Sequence, residues 1–90
     1  MKKIVRSFEP MEPIVRLKEL VGQKVLLLCA NYFYTGKLAG YGDDWVLLED
    51  PAIVYETGPW TAPAYTDVQP LGCKECYVQR SFIEAFLAAK

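Results

Sequence analysis

Two short stretches hold the side chains whose types suggest contact chemistry: Tyr41, Asp43, Asp44 and Trp45 in one, and Arg80 in the other. An aromatic ring can stack a nucleic-acid base, a contact worth about 1–3 kcal/mol, and a carboxylate can accept from a base amine. The planar fork of Arg80 suits a phosphate or a base face. Each residue also has a plainer use. Tyr41 and Trp45 serve equally well as core or subunit-contact residues, the two Asp as a solvated turn, and Arg80 as a surface or intersubunit ion pair.

A third stretch, Cys73-Lys74-Glu75-Cys76, has the spacing of a metal or redox pair. Zinc needs a fuller ligand set than one such pair supplies, the chain has no His, and Cys29 falls within an apolar strand pattern. A redox pair sits at a helix start beside a thioredoxin-like strand pattern, and that context is missing. The expectation is structural thiols, with a disulfide or an intersubunit metal as the alternatives. No metal and no cofactor is expected. Nor is catalysis: there is no His to act as a near-neutral base, no glycine-rich phosphate loop and no activated nucleophile, so no catalytic residue is assigned.

What must position these residues is small. Ninety residues, 52 % hydrophobic and 23 % charged, imply one folded domain spanning 1–90. A core of that size gains little stability on its own, so self-association is the expected support. Charge is uneven: residues 1–24 carry six basic groups against three acids, whereas 38–72 carry six acids and no base. An anionic partner is drawn to the termini and repelled from the middle. Lys2, Lys3 and Arg6 suit either nonspecific phosphate contacts or a solvated tail. The basic start lacks an apolar run behind it, and Val25–Ala30 is far short of the ~20 residues that span a bilayer, so no membrane partner is expected and the compartment reads as cytoplasmic.

Residues 1–12 read as an N-terminal arm. Ile14, Leu17 and Val21 then recur at helical spacing, with Pro13 suited to the first turn and Gly22 to the stop. Val25–Ala30 and Phe33–Gly40 read as an antiparallel pair, Trp45–Glu49 as a third strand, and Ile53–Glu56 as a further one past an Asp50-Pro51 break. Gly36 and Gly40 suggest strong bending or close backbone approach. Residues 57–72, with three prolines and neither period, read as a long inserted loop whose Trp60 and Tyr65 should pack on the domain or on a neighbour. Cys76–Gln79 resumes as strand. The end is ambiguous: Ser81-Phe82-Ile83-Glu84 has the form of a helical capping box, yet Phe82–Phe86 could equally form a closing strand.

The order of a helix, Val21-Gly22-Gln23-Lys24-Val25, Tyr34-Thr35-Gly36-Lys37-Leu38-Ala39-Gly40-Tyr41 and Val46-Leu47-Leu48-Glu49-Asp50 resembles the Sm/LSm-like family, in its divergent prokaryotic or phage form. Tyr77-Val78-Gln79-Arg80-Ser81 echoes the second family motif, with Ser81 where the family has Gly. The resemblance covers roughly residues 13–87. It implies a mainly β fold: a short helix followed by a five-stranded, strongly bent antiparallel SH3-like barrel. It further implies a homo-oligomeric, head-to-tail ring binding short single-stranded RNA at Tyr41, Asp43, Asp44, Trp45, Arg80 and Ser81. The family's Asp and Asn would fall near Gly42 and Trp45, so its usual base-reading pair is absent. The alternative is a structural or protein-interaction ring that keeps the fold without binding RNA.

Overall fold

The computed structural model describes residues 13–90, so the arm over 1–12 and its basic groups Lys2, Lys3 and Arg6 lie outside the described residues. A short helix α1, Pro13–Glu19, leads into six strands: β1 Lys24–Cys29, β2 Phe33–Tyr41, β3 Trp45–Glu56, β4 Asp67–Pro70, β5 Glu75–Gln79 and β6 Ile83–Ala88. The protein is mainly β, built as one antiparallel sheet in the order β4-β3-β2-β1-β6, with β5 paired to β3 off that path. That is one strand more than the five expected.

The helix ends as its residues dictate. Leu17, 4 % exposed, anchors it on the core. Gly22 then takes a φ of 90°, a conformation in which a Cβ would be strained, and its N–H reaches the Leu38 carbonyl at 2.8 Å. Leu38 N–H returns to the Gln23 carbonyl at 2.9 Å, so the helix stop is tied into the β1–β2 ladder.

Strand β1 is central, flanked by β2 and β6, and Val25, Leu26 and Leu27 are all fully buried. Burial on both faces explains why its sequence is an unbroken apolar run rather than an alternation. Val25, Leu27 and Cys29 meet Leu38, Val46, Leu48 and Val78 in the main core. Among the described residues Thr35 is the buried polar one, and its hydroxyl donates to the Val25 carbonyl at 2.8 Å, which offsets the cost of burying it.

Strand β3 departs from the sequence expectation. Asp50-Pro51 does not end a strand; it bends one. Asp50 adopts a φ of 49°, tolerable for Asp, and its N–H leaves the ladder to bond the Lys74 carbonyl at 2.9 Å. Before the bend β3 pairs with β5, Trp45 to Gln79 through Glu49 to Glu75; after it β3 pairs with β4, Ala52 to Pro70 through Glu56 to Asp67. One long strand thus serves two partners.

The register of β2 on β3 slips twice, at Gly36 and near Gly40. A Cβ on Gly36 would meet the Glu49 carbonyl oxygen at 2.9 Å, whereas one on Gly40 would meet nothing within 4 Å. Close approach is therefore the role of Gly36 alone.

The segment 57–72 is not all loop, because Asp67–Pro70 forms β4. The terminal ambiguity resolves as strand: a 3-10 turn, Arg80–Phe82, leads into β6, which pairs with β1. An open edge of an apolar central strand outweighs the local capping box, since pairing satisfies a whole row of backbone groups. Among the described residues β4, β5 and β6 each pair along one side, and no backbone ladder closes the sheet into a barrel.

Candidate functional site

The two candidate stretches, far apart in sequence, meet in space. Arg80 joins them across 38 positions: its Nη1 donates to the Gly42 carbonyl at 2.7 Å and to the Asp43 carbonyl at 2.9 Å. Its backbone N–H adds a bond to the Asp44 carbonyl at 2.8 Å. The β2–β3 turn is closed from its own side by Gly42 N–H on the Trp45 carbonyl at 2.7 Å. The cause lies in strand registry. Pairing Trp45 with Gln79 sets the start of β3 beside the end of β5, so the turns just outside both strands become neighbours.

Asp43, Asp44, Arg80 and Ser81, with Gln79, line a small open cavity of about 320 Å³. Among the described hydrogen bonds Arg80 uses Nη1, which leaves the other guanidinium nitrogens for a ligand. Two exposed carboxylates share the cavity with this one cation, so its formal charge is net negative. That balance favours a base amine or another hydrogen-bond donor over a bare phosphate.

The two aromatic candidates part company. Trp45 is 48 % exposed and sits edge-to-face on Tyr77, ring centres 6.3 Å apart and planes at 83°. Tyr77 is itself exposed, and it faces Trp45 because Leu47, its ladder partner, lies two positions from Trp45 on the same strand face. Tyr41 is half-buried and packs on the main core. It still lines a second shallow cavity, about 290 Å³, together with Trp45 and Tyr77. Sequence reasoning missed Tyr77. A signal was present, in its alternation with buried Val78 along β5.

Next to this site, a cleft of about 400 Å³ runs from the end of β1 to β5, lined by Cys29, Tyr34, Trp45, Cys76, Tyr77 and Phe82 among others. Burial pushes the Cys29 thiol above its usual range, with the Glu84 carboxylate adding to the effect. Cys76 moves the same way, first through burial and then through Cys73. Thiols held protonated are poor nucleophiles and poor ligands at neutral pH. Cys73 is exposed, and all three cysteines are free. Among the described residues no group of three or more His, Cys, Asp or Glu is placed to hold a metal ion. Among them, too, no helix is long and apolar enough to cross a membrane.

Trp60 and Tyr65, expected to pack on the domain or on a neighbour, do so only in part: Trp60 is 57 % exposed and Tyr65 half-buried, with Lys90 Nζ 5.8 Å from the Trp60 ring centre and 4.8 Å from that of Tyr65. No protein-family model matches this chain, and none of the curated proteins matches it either.

Proposed function

We propose that this chain is a ring-forming, Sm-like binding module that takes up short single-stranded RNA at the junction of its two turns. The single observation that carries the reading is the Arg80 junction. It brings a half-satisfied guanidinium, two carboxylates and the exposed Trp45–Tyr77 pair to one side of the domain. Such a patch offers a stacking surface with polar groups beside it, the arrangement that unpaired bases require.

In this reading the sheet stays open among the described residues, and assembly uses its open edges. Strands β5 and β6 each leave one side without a ladder partner among the described residues, and a head-to-tail pairing of two different edges repeats until it closes. A ring would also cover part of the apolar surface that Phe82 and Leu87 expose.

A second reading is favoured by charge. The cavity is net negative and Arg80 already spends one nitrogen on the turn, so a ring that contacts protein and not RNA fits the same surface. Two measurements separate the readings. Native mass spectrometry should show a closed oligomer, and a clean monomer at micromolar concentration overturns both. Titration with oligo(U) and oligo(A) should show binding that weakens as salt rises. Rings that bind neither at ~50 mM salt, where attraction is least screened, leave only the protein-interaction ring.

A further inference from the structure

Lys90 lies just beyond β6, and one stretch of chain, the connection from β3 towards β4, encloses its ammonium. Nζ donates to the carbonyl oxygens of Thr57 at 3.1 Å, Pro59 at 2.8 Å and Ala64 at 3.4 Å. The rings of Trp60 and Tyr65 flank the same charge, and the Lys90 N–H donates to the Tyr65 hydroxyl at 3.2 Å. An ammonium group has one hydrogen for each of those carbonyls, and π faces supply the remaining attraction.

The receptor loop also has contacts of its own. Gly58 takes a φ of 67°, and a Cβ there would run into the Thr66 hydroxyl. Thr57 Oγ1 donates to the Gly58 carbonyl at 3.0 Å, and Ala62 N–H to the Pro59 carbonyl at 3.0 Å, which together hold the turn in which the carbonyls converge. The position of this contact gives it a consequence. Strands β4 and β6 stand at opposite ends of the sheet order, with no ladder between them. Lys90 joins the segment before one to the residue after the other.

We infer that residues 57–65 form a receptor specific for a primary ammonium group, that Lys90 fills it in cis, and that the contact latches the two ends of the sheet where no backbone ladder does. The inference is independent of RNA binding and of the ring. Convergent carbonyls set the selectivity: a quaternary ammonium keeps the attraction to the rings but has no hydrogen to give, so the receptor discriminates against it.

The test uses the whole chain labelled with ¹⁵N. In the wild type, one lysine ammonium should exchange slowly and carry side-chain protons shifted upfield by the rings, and Lys90→Met should abolish that signal. Adding n-butylammonium chloride to Lys90→Met should then give a saturable shift of the Trp60 and Tyr65 ring signals. Tetramethylammonium chloride at matched ionic strength should act at least about ten-fold more weakly. Should Lys90→Met fail to fold, Lys90→Gln takes its place, because a neutral and shorter side chain leaves the receptor without its cation. The inference is overturned by a wild type with no shifted lysine, by a variant with no saturable response, or by equal binding of both cations.

Discussion

The turn junction at Arg80 and the loop around Lys90 solve one problem with different chemistry. In each, a long cationic side chain collects backbone carbonyls from a distant loop: Gly42 and Asp43 for Arg80, and Thr57, Pro59 and Ala64 for Lys90. The ammonium has every hydrogen engaged and a ring on two sides, so it holds the loop and offers nothing more. Among the described residues the guanidinium holds its turn through one nitrogen and keeps the rest of the fork free. A saturated cation is a latch, whereas an unsaturated one is a latch that can also bind.

This contrast is sharpest in a measurement of affinity. Under the RNA reading, Arg80→Ala should lower oligonucleotide affinity by about a hundred-fold, since a ring repeats the lost contact in every subunit. Lys90→Met should leave that affinity unchanged. Equal losses from both substitutions, read in the same salt titration, would break the distinction. Trp45→Ala is a fair companion, because that ring is half exposed and its removal opens no hole in the main core.

Stability should rank differently. Gly58→Ala forces strain at a positive φ and a collision with Thr66, and we expect it to cost about 1–3 kcal/mol in denaturant unfolding. Lys90→Met, which removes contacts that are partly solvent-exposed, should cost about 1 kcal/mol. A Gly58→Ala protein as stable as the wild type would show that Gly58 does not shape the loop.

The smallest effect concerns pH. Cys29 and Cys76 are held protonated by the fold, so their contribution is complete below the ordinary thiol value of 9.0 and is lost as pH climbs through their raised folded values. Unfolding free energy should therefore fall on the alkaline side, with a gentler slope in Cys76→Ala. At neutral pH a thiol reagent should modify exposed Cys73 well before the other two.

How much of this was legible varies by residue. Val25–Ala30 announced a strand, which the structure ends at Cys29, and its unbroken apolar run is what burial on both faces requires. Gly22 announced the helix stop. The Asp50-Pro51 pair marked a disturbance correctly, but not its kind: a proline before a partner exchange looks, in sequence, the same as one at a strand end. Strand β4, Asp67-Val68-Gln69-Pro70, is short, proline-bearing and exposed, so no period reveals it; its register comes from the second half of β3.

The candidate site divides along the same line. The family resemblance singled out Tyr41, Asp43, Asp44, Trp45, Arg80 and Ser81, and side-chain type said what each could contact. Type could not tell that Tyr41 rests on the core while Trp45 stays exposed against Tyr77, nor that Arg80, among the described residues, is bonded to carbonyls and not to a carboxylate. Lys90 gave no signal at all. An isolated lysine has no period, and its partners are backbone oxygens, which every residue carries.

By itself the sequence determined the local terms: which segments are apolar enough to be buried, where the chain can turn, and which side chains can stack, donate or accept. Those properties belong to single residues and their near neighbours, and they are the same in any fold. Only the tertiary structure decided that β3 serves two partners, that the chain end becomes β6, and that two cations close two loops. Each of these depends on backbone groups brought together across tens of residues, and hydrogen-bonding carbonyls leave no trace in the letters that carry them.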